Sequence, residues 1–122
     1  MTDKRERLHH YLAHVVEAVE RIATYTHGVS QDRFMVDQLL QDAVIRNLEI
    51  VGEARRNILR VAPEFAEQNP MIPLKSAYEM RNVLAHGYFE VDTELVWRTI
   101  MNDLPGLGRQ ADELRSRLLA GK

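Results

Sequence analysis

The chain contains no cysteine. That excludes a disulfide framework, a thiolate nucleophile and a zinc–thiolate centre, and it fits a reducing compartment. An excess of one charge is also lacking. Sixteen Lys and Arg stand against 18 Asp and Glu, a net charge of −2. This excludes a broad basic nucleic-acid-binding surface at the level of the whole chain. Long apolar runs are missing, and none approaches the ~18 residues of a membrane span. The start, Met1-Thr2-Asp3-Lys4-Arg5-Glu6-Arg7, is charged and leads into an amphipathic stretch rather than the apolar core of a signal peptide. The expected location is therefore the cytoplasm, away from membranes. There is no Gly-rich phosphate loop, nucleophile elbow, acidic metal cluster or HExxH.

What is present is the mixture of an ordinary globular protein, with 45% hydrophobic and 28% charged residues in 122. That length implies one domain over residues 1–122, large enough to bury a core without staples. Charge is even along it: residues 1–60 hold nine basic and nine acidic side chains, and 61–122 hold seven and nine.

Apolar residues recur at helical spacing. Leu8, Tyr11, Leu12, Val15, Val16, Val19, Ile22 and Tyr25 predict a helix over about 3–26. Gly28 closes it, and Ser30 is placed to cap a short turn through Phe34. A second helix is predicted over about 36–61, carrying Val36, Leu39, Leu40, Val44, Leu48, Val51, Ile58 and Leu59. Gly52 inside it costs about 1 kcal/mol against Ala, which suggests close approach by another backbone. Residues 63–73 hold three of the four prolines and predict a connector with one helical turn. Pro73 opens a third predicted helix, reaching about 86, with Gly87 as its left-handed cap. Asp92 caps the last helix, which is expected to kink at Pro105, and Val91 and Val96 form a candidate staple. Four main helices and no strand predict an antiparallel all-α bundle.

One segment concentrates chemistry: Arg81-Asn82-Val83-Leu84-Ala85-His86-Gly87-Tyr88-Phe89. Asn82 and His86 are four apart and stack along a helix face. Arg81 and His86 are about 140° apart on a regular helix. A helix ending at Gly87 frees His86 to swing toward Arg81, and Tyr88 follows closely. An arginine, a histidine, an amide and a phenol at one helix end can bind a phosphate, move a proton and offer a hydroxyl. On spacing alone, capping and helix-dipole roles account for these residues equally well.

Arg81-Asn82-x-x-x-His86-x-Tyr88 resembles the R-x4-H-x-Y signature of the HepT-like toxins, a branch of the HEPN ribonuclease superfamily. Asp42-Ala43-Val44-Ile45-Arg46-Asn47-Leu48-Glu49-Ile50-Val51-Gly52-Glu53-Ala54 is similar to that family's second-helix block. Val91-Asp92 and Leu95-Val96-Trp97 are similar to the stretch after its motif. The resemblance implies an all-α HEPN-type bundle of four or five helices that forms a homodimer, the two motifs lining one cleft. It implies metal-independent cleavage of RNA, with tRNA favoured and a 2′,3′-cyclic phosphate as product. Carried over, His86 is the acid/base group, Arg81 binds the phosphate and Asn82 orients substrate. The implied partner is an MntA-like nucleotidyltransferase antitoxin that places AMP groups from ATP on Tyr88 and silences the toxin. The alternative is an inactive nucleotide-binding or scaffolding partner of such a nucleotidyltransferase.

Three further features stand outside the motif. His10 and His14 are i,i+4 with Glu17 nearby, a spacing able to hold a metal but expected on a solvated face. Arg55, Arg56 and Arg60 form a local basic run free of acids, the best candidate for an added RNA-backbone contact. Trp97 and Phe89 are expected in the core or an interface.

Overall fold

The computed structural model describes residues 3–69 and 92–120. Within these residues it is all-helical, as the periodicity predicts. Six segments follow one another: α1 (Lys4–Thr26), α2 (Gln31–Val36), α3 (Gln38–Val61), α4 (Pro63–Gln68), α5 (Thr93–Asn102) and α6 (Leu104–Leu119). The third helix expected from Pro73 to about residue 86 and its Gly87 cap lie outside the described residues, as does Val91 of the candidate staple.

Aspartates and a serine set most of the boundaries. Asp3 Oδ1 accepts from the Glu6 amide at 2.8 Å, Asp37 Oδ1 from Leu40 at 3.0 Å and Asp92 Oδ1 from Leu95 at 3.0 Å. Ser30 Oγ accepts from the Arg33 amide at 3.1 Å, the expected cap of the short turn. Each bond satisfies an amide that the helix itself leaves open. Gly28 takes φ +72°, a left-handed conformation that costs little without a Cβ, and ends the first helical hairpin turn. Pro63 stops α3 and starts α4 at once, where its missing N–H is not needed.

α1 is the central element and packs against both α3 and α6; α5 packs on α6, and α2 bridges α3 and α5. Leu8, Leu12, Val15 and Ile22 of α1 meet Val44, Leu48, Val51 and Ile58 of α3 and Leu104, Leu107, Ala111 and Leu114 of α6 in one buried cluster. Close α1–α6 approach depends on Gly108, where an added Cβ would stand 2.9 Å from Val19 Cγ1. The Phe34 and Trp97 rings, 5.2 Å apart, join α2 to α5, so Trp97 belongs to the core margin as expected.

Three expectations need correction. The stripe of the second helix does not start at Val36. Asp37 interrupts it and resets the helical phase, leaving Val36 and Leu39 each 82% exposed. The last helix does not kink at Pro105 but breaks at Asp103, and α6 restarts with Pro105 in its first turn. Gly52 meets nothing within 4 Å of a built Cβ, so the described residues supply no backbone approaching it. Among the described residues no helix is long and apolar enough to cross a membrane.

Candidate functional site

The four motif residues, Arg81, Asn82, His86 and Tyr88, lie outside the described residues. The flanking elements fix where their segment leaves and rejoins the bundle. It departs after α4, where Asn69 caps the helix by donating from its amide nitrogen and its Nδ2 to the Phe65 carbonyl at 3.0 and 3.1 Å. It returns at Asp92, whose side chain nucleates α5. From there Val96 and Ile100 enter the core, and Trp97 rests on Phe34. The chain from Asp92 onward is thus tied directly to buried packing.

The family-like second-helix block forms the middle of α3. Val44, Leu48, Val51 and Ala54 face the core, and Asn47 is buried with them at 5% exposure. Asn47 Nδ2 donates to the Ala43 carbonyl at 2.9 Å, while its buried Oδ1 has no partner among the described residues. A buried acceptor left open costs about 1–3 kcal/mol, so this position is not explained by packing alone. Its signal in the sequence was an amide inside an otherwise apolar stripe.

The basic run lies on the second half of α3. Residues 55–60 hold no acid, as read from the sequence, but Glu53 just before them lies within reach: Arg56 donates to Glu53 Oε2 at 2.9 Å. Arg60 donates to Asn57 Oδ1 at 2.9 Å. Arg55 is half-buried, and burial lowers the pKa of its guanidinium from the ordinary value. The His10 and His14 rings touch, with centroids 4.4 Å apart. Among the described residues no group of three His, Cys, Asp or Glu is arranged to hold a metal ion.

The fold and motif together define a small all-helical domain of HEPN type. The profile of the family described as Ribonuclease HepT-like matches residues 15–114. A protein of Thermococcus cleftensis named Probable ribonuclease HepT is 39% identical over 105 residues, covering 86% of this chain and 93% of the relative. A protein of Caldanaerobacter subterraneus subsp. tengcongensis, named as a candidate RNase, is 36% identical over 104 residues, covering 85% and 90%. A protein of Methanocaldococcus jannaschii, whose name joins a gamma-glutamylcyclotransferase to a candidate RNase, is 40% identical over 108 residues. That match covers 88% of this chain but 47% of the relative, so the chain spans about half of that protein's length. No solved structure matches the chain. The chain belongs to the HepT-like ribonuclease family.

Proposed function

We propose that this protein is the toxic component of a HepT/MntA-type toxin–antitoxin pair, a metal-independent ribonuclease that acts on tRNA as a homodimer. The observation that carries the reading is the intact Arg81-Asn82-x-x-x-His86-x-Tyr88 motif in a chain of the HepT-like ribonuclease family.

The chemistry follows from the residue types. His86 takes the proton of a ribose 2′-hydroxyl, whose oxygen bonds to the adjacent phosphorus. The bond from phosphorus to the 5′-oxygen breaks, and that oxygen receives a proton from a second acid. The products are a 2′,3′-cyclic phosphate and a free 5′-hydroxyl. Arg81 offers a planar fork to the phosphate oxygens, and Asn82 holds the imidazole or the substrate. One motif supplies one histidine. A two-fold axis beside it supplies the second, so base and acid come from the two copies. Dimerisation also doubles the local positive charge, which a chain of net charge −2 does not otherwise provide.

Silencing acts on the same cleft. The Tyr88 oxygen attacks the α-phosphorus of ATP on the partner nucleotidyltransferase, pyrophosphate leaves, and the phenolic proton passes to solvent or a base. AMP groups there add negative charge and bulk where RNA phosphates must enter. Incubation with the nucleotidyltransferase and ATP, followed by intact-mass and peptide analysis, tests this step. A gain of AMP mapped to Tyr88 is expected; an unchanged mass or modification elsewhere contradicts it.

A further inference from the structure

The three arginines of the α3 run have different fates. Arg56 and Arg60 are held within their own helix by Glu53 and Asn57. Arg55 makes no hydrogen bond or ion pair among the described residues, although it is half-buried. Its neighbours one turn away on the helix are Val51, Gly52, Ile58 and Leu59, none of which is acidic. A cation partly withdrawn from water without a counter-charge is costly, so such a site favours an incoming anion.

Gly52 supplies the second observation. It lies three residues before Arg55 and four before Arg56, and helical side chains lean toward the N-terminal turn. Both arginines therefore flank the position that lacks a side chain. A Cβ at Gly52 would meet nothing within 4 Å among the described residues, so none of them fills the gap. Arg56 can still contribute, because its pair with Glu53 is exposed on both sides and exposed pairs are weak.

We propose that Gly52, Arg55 and Arg56 form a seat on α3 for a backbone phosphate of the RNA, outside the motif that cuts it. The guanidinium of Arg55 presents two parallel donors to phosphate oxygens, and the missing side chain at Gly52 lets the phosphate approach the helix. The seat takes its ligand from the ribonuclease reading above. Its three residues are separate from the motif residues at 81–88, and the role assigned to them is to anchor substrate.

The test is salt-dependent binding of labelled tRNA to the full-length protein, with His86→Ala as background so that RNA stays intact. Arg55→Gln is expected to weaken binding roughly tenfold at low salt and to flatten the slope of log K against log salt by about 0.7–0.9, one phosphate contact. Gly52→Leu fills the seat without changing charge and is expected to weaken binding while the protein stays folded. Arg109→Gln on exposed α6 surface serves as the charge control and is expected to keep the slope. Unchanged affinity and slope in Arg55→Gln, alongside RNA cleavage by the wild type, overturn the seat and leave the ribonuclease reading standing. Dissociation of the dimer by Arg55→Gln with unchanged RNA affinity also overturns it, since the counter-charge is then a carboxylate of another chain. A wild type that neither binds nor cleaves RNA sinks the ribonuclease reading and the seat with it, and the cleavage assay tells this case from the others.

Discussion

The Phe34 and Trp97 rings lie 5.2 Å apart and inclined by 39°, so the short helix α2 is clamped to the helix that follows the candidate site. Phe34 is fully buried, and its own carbonyl accepts from the buried Gln41 side chain at 2.8 Å. Removing the ring opens a cavity at the junction of α2, α3 and α5. Phe34→Ala is expected to cost about 3–5 kcal/mol, and Phe34→Leu much less. Urea unfolding followed by far-ultraviolet circular dichroism measures both without relying on the fluorescence of the single tryptophan beside the mutation.

Two glycines should respond in opposite ways to the same substitution. Gly108→Ala pushes a methyl to 2.9 Å from Val19 Cγ1, and Val19 is branched at Cβ and cannot readily turn away inside a helix. Overpacking outweighs the gain in helix propensity, and a net loss of about 1–2 kcal/mol is expected. Gly52→Ala meets none of the described residues and is expected to gain up to about 1 kcal/mol. Chemical denaturation midpoints that move the same way for both would contradict this packing account.

Asp92 caps the N-terminus of α5. Its carboxylate accepts from the Leu95 amide at 3.0 Å, so Asp92→Ala is expected to cost about 1 kcal/mol. Asp92→Asn keeps an acceptor of the same length and should restore most of it. Thermal melts of the three proteins at matched concentration decide the point, with equal melting temperatures counting against the cap.

Tyr88→Phe removes the only oxygen of that side chain able to accept AMP. The variant is expected to gain no mass with the nucleotidyltransferase and ATP, and co-expression of the partner should no longer restore growth by modification. Mass gain at another residue would move the acceptor site.

Much of this architecture was legible because helix ends are local events. Ser30 and Asp92 act through bonds to residues three positions away, and Gly28 through its own left-handed backbone angle, all of which spacing and residue type reveal. Asp37 and Asp103 were harder, since the apolar period runs through both and favours a continuous helix. At Asp37 the side chain captures the Leu40 amide and turns Val36 and Leu39 to solvent. At Asp103 the proline two residues on lacks the amide that a continuous helix would use, and packing of Leu104 and Leu107 settles the break. The pairing of Arg56 with Glu53 was readable from i,i+3 spacing, but the isolation of Arg55 was not, because burial depends on the whole bundle. The motif itself was legible from residue types and resemblance, and its residues 81–88 lie outside the described part of the structure.

The central claim rests on His86. Purified wild type and His86→Ala, both confirmed as dimers by light scattering, are incubated with tRNA in the presence of chelator, and the fragments are resolved by gel and mass analysis. The account predicts cleavage with 2′,3′-cyclic phosphate ends by the wild type and at least a hundredfold slower cleavage by His86→Ala, within the roughly 10²–10⁴-fold range of a lost acid/base group. Cleavage by His86→Ala at the wild-type rate, or none by either protein, would contradict it.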